Sequence, residues 1–176
     1  MNLWHDINID RIKPENFIAV IEIPRGTKNK YELDKETGHL ILDRVLYTST
    51  HYPANYGFIP RTYAEDHDPL DVLVICSESI APLSLVRCYP VGVIRMRDND
   101  ENDDKIIAIP FNEPNYNHIK NIEHLSPHML DEFMHFFRVY KELENKTTAD
   151  ICLLDLEAGI KIIQEALARY ERRFYR

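Results

Sequence analysis

The apolar positions of the chain change from a strand-like to a helical pattern near residue 110. Before that point they form short runs, rich in Val and Ile, which Pro, Gly, Asn and Asp residues separate. Runs of this length and composition predict β-strands. We therefore expect five strands, at residues 17–23, 40–46, 71–76, 91–96 and 106–110.

The rest of the chain repeats its apolar residues at helical spacing. Ser126 followed by Pro127 supplies an N-cap and a favoured first helical residue. The predicted apolar face of the first helix consists of Leu130, Phe133, Phe137 and Tyr140. A second helix is predicted from about Asp155, and its apolar face consists of Leu156, Ile160, Ile163, Leu167 and Tyr170. Short strands followed by two helices predict an α+β fold, a small barrel or curled sheet with helices on one side, in a single domain over residues 1–176.

Composition narrows the classes of partner. The chain has 29 acidic and 21 basic residues and a net charge of −8, whereas a nucleic-acid binder that relies on a basic face needs clustered Lys and Arg. No apolar run approaches the ~18 residues of a membrane-spanning helix, and the first residues carry no secretory signal. Three widely spaced cysteines predict reduced thiols. We therefore expect a cytoplasmic protein that binds neither nucleic acid nor membrane.

Charged residues also lie inside strand-like segments, where apolar side chains are usual. Glu22 lies between two isoleucines, so on a strand its carboxylate points away from both. Lys30 and Glu32 share one strand face, and Arg44 interrupts the run at 40–46. Each residue alone also fits an amphipathic strand with water outside. Three such strands together favour a polar cleft.

Two acidic clusters lie next to predicted strands. Asp66, Asp68 and Asp71 fall within six residues, and residues 98–104 include four Asp and one Glu. Carboxylates this close repel one another unless a cation relieves the repulsion, and oxygen ligands suit Mg²⁺, Mn²⁺ and Ca²⁺. Neither cluster has the glycine and final glutamate of an EF-hand loop. Either cluster alone also fits a solvated turn, although the two can converge at one mouth of a barrel.

Two tyrosine-containing segments add polar groups to these candidates. Tyr52 and Tyr56 belong to a Pro, Asn and Gly turn at residues 52–57, and Tyr140 continues the first helical face with Lys141 beside it. Core packing explains this pattern, and so do hydroxyl and ammonium groups that bind phosphate. The chain contains no GxGxxG, P-loop, HExxH or GxSxG motif, which leaves other common chemistries without support.

The segment Asp-His-Asp-Pro-Leu-Asp-Val at 66–72 resembles the signature of soluble family I inorganic pyrophosphatases. The resemblance continues in order along most of the chain, through residues 21–24, 30–32, 43–44, 52–57, 87–93, 98–105 and 140–144. The length is similar to that of the short bacterial members, which form hexamers. We expect the aromatic helix over 126–144 to carry more apolar surface than one barrel can cover, which also favours a homo-oligomer of this kind.

The resemblance implies a five-stranded, OB-like barrel and Mg²⁺-dependent hydrolysis of pyrophosphate to two phosphates. Several Mg²⁺ ions per subunit are implied, with Mn²⁺ as a substitute. It implies that Asp68 is the base that accepts a proton from the attacking water. The implied metal ligands are Asp66, Asp71, Asp103, Asp98 and Glu22. The implied substrate-binding residues are Lys30, Arg44, Tyr56, Tyr140, Lys141 and Lys105, with Glu32 and Tyr52 in support.

Two alternatives stay open beside this function. One is a non-catalytic protein that binds divalent cations or phosphate on the same fold, which the retention of Asp68, Lys30 and Arg44 disfavours. The other is a phosphohydrolase of nucleotides or short polyphosphates, although no base-stacking platform is evident. Residues 99–102 and 145–154 depart from the usual family pattern, so we make no prediction for their structure.

Overall fold

The computed structural model describes residues 1–98, 100–146 and 148–175, which form eight strands and two α-helices. In chain order these are β1 (Phe17–Ile23), β2 (Asn29–Leu33), β3 (Leu40–Val45), β4 (Asn55–Ile59), β5 (Leu70–Val74), β6 (Leu85–Asp98), β7 (Glu101–Pro110), α1 (Pro127–Val139), β8 (Ala149–Leu154) and α2 (Leu156–Phe174). Three short 3₁₀ turns lie at Ile9–Arg11, Ile122–His124 and Glu142–Glu144. Asn99, in the departing segment 99–102, lies outside the described residues.

The main sheet has six strands, and β2 and β3 form a separate hairpin. The strand order of the main sheet is β1-β4-β5-β7-β6-β8. Strand β1 also pairs with β6, so the pairing that begins at β1 passes through four other strands and returns to it. Strands β5 and β7 run parallel, and the other neighbours run antiparallel.

The α+β class is confirmed, but the prediction of five strands is wrong. Four predicted strands belong to the main sheet, while the one at 40–46 corresponds to β3 and pairs with β2 in the separate two-stranded sheet. Strands β2, β4 and β8 are absent from the five predicted. The polar Asn55 and the Gly57 of β4 are typical of a turn, yet every residue of this strand is buried. Burial in the sheet here overrides local preference.

Both helices begin where the sequence predicts. The Ser126 hydroxyl accepts a hydrogen bond from the Met129 N–H (3.5 Å), and the Asp155 carboxylate accepts one from the Ala158 N–H (2.9 Å). These bonds satisfy amides that have no partner within the first turn. Helix α1 ends at Val139 rather than continuing to residue 144. Among the described residues, no helix combines the length and hydrophobicity needed to cross a bilayer.

The two helices pack against different parts of the core. Helix α1 buries Phe133, Phe136 and Phe137 in a cluster that includes Tyr52 and Ile94. Because Tyr140 is buried there as well, the chain itself covers the aromatic face of α1. The aromatic side chains of this helix therefore do not supply the apolar surface that we expected to contact other subunits.

The apolar face of helix α2 packs against a second core cluster, which is formed by strands of the main sheet. Ile162, Ile163 and Ala166 pack there with Phe17 and Val72. The predicted Leu156, Ile160 and Leu167 are only half-buried, so the buried face is rotated slightly from the expected one. Each helix thus covers one side of the strands that carry the polar groups described next.

Candidate active site

Most of the site residues predicted from the sequence line one cavity of about 280 Å³. Twelve of the fourteen predicted site residues line it: Glu22, Lys30, Glu32, Tyr56, Asp66, Asp68, Asp71, Asp98, Asp103, Lys105, Tyr140 and Lys141. They come from six strands, the β4–β5 loop and the residues that follow α1. The other two, Arg44 and Tyr52, lie outside the lining.

Strand alternation explains why the second acidic cluster contributes only some of its residues. The segment is the β6–β7 hairpin and not a loop, with Asp103 opposite Met96 and Asp98 opposite Glu101. Asp103 and Lys105 are two residues apart and therefore share one face of β7. Asp104 lies on the other face, where its carboxylate accepts hydrogen bonds of 2.7 and 2.9 Å from Arg95.

Lys105 is the buried centre of the site. Its ammonium group donates to the Tyr56 hydroxyl (2.9 Å), Asp71 (2.9 Å) and Asp103 (3.2 Å). Three acceptors match the three hydrogens of an ammonium group. Burial opposes the charge, but Asp103 and Asp71 outweigh it and raise the pKa of Lys105 well above its usual value. In this arrangement Lys105 holds other site residues and has no hydrogen left for a phosphate oxygen.

The carboxyl group of Glu22 lies in an irregular part of β1. The pairing register with β4 shifts between Ile21 and Ile23, and these isoleucines pack into different core clusters. The Glu22 carboxylate accepts a hydrogen bond from the Leu33 N–H (2.7 Å). Burial raises the pKa of Glu22 to about 8, with the charges of Asp71 and Glu32 acting in the same direction. A cation placed beside it would stabilise the ionised form.

The β4–β5 loop presents the first acidic cluster in an ordered turn. The Asp66 carboxylate accepts a hydrogen bond from the Asp68 N–H (3.1 Å), and the Leu70 N–H donates to the Thr62 hydroxyl (2.9 Å). Burial raises the pKa of Asp66 to about 6, helped by the charge of Asp71. Burial also raises the pKa of Asp71, although Lys105 opposes it. This loop therefore carries carboxyl groups that favour a nearby cation.

Two further basic groups line the cavity, each next to a carboxylate. Lys30 on β2 pairs with Glu32 and with Asp43 (3.3 Å). Lys141 lies 3.8 Å from the carboxylate of Asp98, and burial lowers its pKa. These cations balance part of the acidic charge of the cavity.

Arg44 and Tyr52 lie behind the lining of the cavity. The Arg44 guanidinium contacts Asp43 and, at 2.7 Å, Glu144. Tyr52 is buried, with its ring 5.4 Å from that of Tyr56 and 4.7 Å from that of Phe136. This position suits Tyr52 as a support for Tyr56.

Sequence reasoning did not nominate Lys35 and Trp4, which also line the cavity. Lys35 forms an ion pair with Asp68. Trp4 is the only tryptophan of the chain and is buried at the cavity wall. No periodic pattern marks either residue, because one lies in a hairpin turn and the other in the irregular N-terminal segment. Their proximity depends on contacts between distant parts of the chain.

Comparison with known proteins assigns this arrangement to a family. The family model described as inorganic pyrophosphatase matches residues 19–171. The chain belongs to the inorganic pyrophosphatase family. It is 44% identical to soluble inorganic pyrophosphatase 2 of Chlamydomonas reinhardtii over 171 residues, covering 97% of this chain and 89% of that one. It is 46% identical to soluble inorganic pyrophosphatase 1 of Arabidopsis thaliana, covering 95% and 79%.

Solved structures of inorganic pyrophosphatases share the fold. The enzyme of Thermus thermophilus superposes with a TM-score of 0.92 at 36% identity, covering 97% of this chain and 99% of that one. The enzyme of Helicobacter pylori gives a TM-score of 0.86 at 41% identity, covering 90% and 95%. The resemblance recognised in the sequence is therefore confirmed, and the chain has the length of these bacterial pyrophosphatases.

The side chains of the cavity fit divalent cations with a preference for oxygen. Seven carboxyl groups and four ammonium groups line it. Within the described residues, no three His, Cys, Asp or Glu side chains are grouped closely enough to form a ready-made metal cluster. Burial, helped by neighbouring acids, raises the pKa values of Glu22, Asp66 and Asp71, and a cation beside these carboxyl groups would favour their ionised forms. Carboxylate oxygens without thiolate or imidazole partners suit Mg²⁺ and Mn²⁺.

Proposed function

We propose that this chain hydrolyses inorganic pyrophosphate to two orthophosphates, and that it does so with several Mg²⁺ ions, for which Mn²⁺ can substitute. The observation that carries the proposal is the single cavity in which twelve family-motif residues meet. Its lining has more carboxyl than ammonium groups, so the lining alone repels a pyrophosphate anion. Divalent cations invert this local charge. They therefore account for how an acidic cavity accepts an acidic substrate.

The acidic residues divide into two proposed roles. Asp66, Asp71, Asp103, Asp98 and Glu22 would hold the metal ions. Such ions polarise phosphate oxygens and lower the pKa of a bound water. Asp68 accepts the proton of the attacking water, since its carboxyl group is more than half exposed and faces the cavity. Lys105 keeps Asp71 and Asp103 close together despite their repulsion.

The basic and hydroxyl groups bind the phosphate oxygens. Lys30, Lys141 and Tyr140 reach the cavity directly. Arg44 belongs to this set only if its guanidinium group turns from Glu144 towards the substrate. Tyr56 has its hydroxyl beside Lys105 and completes the set, with Glu32 and Tyr52 in support. Positioning and charge stabilisation of this kind are the main contributions that a protein makes to phosphoryl transfer.

Three further features are part of the proposal. The ring of pairings from β1 through β4, β5, β7 and β6 supports a five-stranded, OB-like barrel within the main sheet. A homohexamer, with one domain per chain, is supported by the exposed apolar side chains of Ile41, Leu42 and Val45 on β3. A cytoplasmic location is supported by the free thiols of Cys76, Cys88 and Cys152.

Phosphate release is the experiment that tests this function. Purified protein is incubated with pyrophosphate, tripolyphosphate or ATP, each with Mg²⁺, with Mn²⁺ and with EDTA. We expect rapid release from pyrophosphate with Mg²⁺, little from ATP and none with EDTA. Binding of pyrophosphate without phosphate release would instead support the non-catalytic alternative. Preferential release from tripolyphosphate would support a polyphosphate hydrolase.

A further inference from the structure

Lys35 is a cation at the cavity that the motifs of the sequence do not include. It lies in the turn between β2 and β3, and its ammonium group pairs with the Asp68 carboxylate. The same ammonium lies 5.2 Å from the centre of the Trp4 ring, within the range of a cation–π interaction. Two independent contacts therefore hold the Lys35 side chain at one end of the cavity.

The turn that carries Lys35 is itself held in place. Within it, the Asp34 N–H donates to the His39 carbonyl (2.7 Å) and the Gly38 N–H donates to the Asp34 carbonyl (2.8 Å). The Asn2 side chain donates to the Lys35 carbonyl (2.9 Å) from the N-terminal segment. The backbone from which Lys35 extends is thus fixed from both sides.

Trp4 connects this turn to the loop that carries Asp68. Its indole N–H donates to the Thr62 carbonyl (2.8 Å), and the Thr62 hydroxyl accepts the Leu70 N–H on the far side of the acidic turn. The N-terminal segment therefore touches both the residue that supplies the ammonium group and the loop that supplies the carboxylate. This segment precedes residue 19, where the family match begins.

We propose that Lys35 is a positioning residue that orients the carboxylate of Asp68 for proton acceptance. The ion pair occupies one carboxylate oxygen, Oδ1, and leaves Oδ2 for the attacking water. An unpaired Asp68 samples several rotamers, because its side chain is 56% exposed and lies among repelling acids. Restricting the Asp68 carboxylate to one orientation raises the fraction of time that it spends in a reactive geometry. The proposal rests on the proposed pyrophosphatase function.

An ordinary surface ion pair makes a different prediction. Exposed Lys–Asp pairs contribute little to stability, and their loss has no reason to change turnover. If Lys35 acts through Asp68, its removal lowers kcat and leaves folding nearly unchanged. The effect must also disappear when Asp68 no longer accepts a proton. Stability and turnover therefore separate the two cases.

The test compares Lys35→Met, Lys35→Arg and Lys161→Met at saturating Mg²⁺ and pyrophosphate. Lys161 is the control, since it lies exposed on α2, away from the cavity, and pairs with Glu165. We expect Lys35→Met to lower kcat by about 10–10²-fold, the size of effect that a small misplacement of a catalytic group produces. KM should change far less than kcat. Lys35→Arg keeps a cation over Trp4 and should regain most of the turnover, while Lys161→Met should match the wild type.

The same substitution in an Asp68→Asn background decides whether Lys35 acts through Asp68. We expect Lys35→Met to change the residual kcat there by less than about twofold, because residues that act as one unit are not additive. An equal loss in both backgrounds would overturn the inference, and so would wild-type turnover of Lys35→Met. In either case an active wild-type enzyme leaves the proposed function standing. An inactive wild type would refute the proposed function itself.

Discussion

At the scale of single residues, the site depends on charges that are buried together. Lys105 is almost fully buried and pairs with Asp71 and Asp103, which come from different strands. Removing one partner of such a group leaves an uncompensated charge, which is far costlier than losing a surface ion pair. The sequence marks these residues as charged positions in apolar segments. It cannot reveal their pairing, which depends on the parallel register of β5 and β7.

The division of roles between Asp68 and Asp71 is testable with isosteric amides. Asp68→Asn cannot accept a proton, so kcat should fall by ~10²–10⁴-fold while Mg²⁺ affinity changes little. Asp71→Asn should weaken Mg²⁺ binding first and recover part of its activity at high Mg²⁺. A Mg²⁺ titration of both variants, followed by kcat at saturation, checks this. Recovery of Asp68→Asn to near wild-type turnover at high Mg²⁺ would contradict the assignment.

The surroundings of Glu113, which lies outside the cavity, predict how the stability of the fold depends on pH. Its buried carboxylate accepts hydrogen bonds from the Ser77 N–H (2.7 Å), the Ser77 hydroxyl (2.9 Å) and the Asn115 N–H (2.9 Å). The Ser77 N–H is the main cause that lowers the pKa of Glu113 to about 2. An acid whose pKa is lower in the folded than in the unfolded state stabilises the fold above its unfolded pKa of about 4.5. That contribution is lost as the pH falls towards 2.

Glu113→Gln should therefore be less stable than the wild type at pH 7, and the gap should narrow between pH 4.5 and 2. Urea unfolding at several pH values measures it. Glu165→Gln is the matched control, because Glu165 is half exposed on α2 and should show no such gap. If the stability difference between Glu113→Gln and the wild type stays constant down to pH 2, the charge of the Glu113 carboxylate is not the cause of that difference.

At the scale of secondary-structure elements, the pattern of apolar residues predicts the helices better than it predicts strands that are rich in polar residues. Both N-caps and the aromatic face of α1 are local features, so they are readable in the sequence. The acidic start of β7 is not, since Asp and Asn are rare in strands, and only pairing with β6 keeps it extended. Strand β8 is likewise extended because it pairs with β6. What the sequence missed is the part of the sheet that depends on neighbours distant in the chain.

Gly57 on β4 shows how closely two of these neighbours approach. A β-carbon at this position would lie 1.8 Å from the Val20 carbonyl oxygen of β1, so the strands would have to separate. We expect Gly57→Ala to lower the free energy of unfolding by about 3 kcal/mol, as severe overpacking does. The same displacement would move Tyr56 and reduce turnover.

Gly26→Ala is the control for this prediction. Nothing lies within 4 Å of the added carbon there, and only the left-handed φ of 85° opposes it, at a cost of about 1 kcal/mol. Urea unfolding of both variants gives the comparison. An equal loss for the two would show that close approach of β1 and β4 is not the cause.

At the scale of the whole molecule, the fold places its acidic cavity between the two-stranded hairpin and the main sheet. Residues from β1, β2, β4, β5, β6 and β7 reach this cavity. No single motif specifies such a site, although the ordered set of motifs identifies the family that has it. The N-terminal wall with Trp4 lies outside those motifs. Its position follows from the folded chain alone.

A patch of exposed apolar side chains lies on β3 and just after it. Ile41, Leu42, Val45 and Tyr47 are each about half exposed or more. Exposed apolar residues that lie close together in the chain mark candidate interaction sites, whereas the aromatic side chains of α1 are covered within the chain. We expect this patch to be an interface of the proposed homohexamer. Light scattering should then give about six times the 20.8 kDa of one chain.

Leu42→Asp tests the interface because it places a charge in the patch without touching the core. We expect the variant to dissociate to smaller species at micromolar concentration, since burying an unpaired carboxylate between subunits is unfavourable. Leu85→Asp makes the same change at a comparably exposed leucine outside the patch and should leave the assembly intact. Circular dichroism checks that both variants fold. A wild type that scatters as a single 20.8 kDa species would refute the hexamer, and a Leu42→Asp variant that stays fully assembled would place the interface elsewhere.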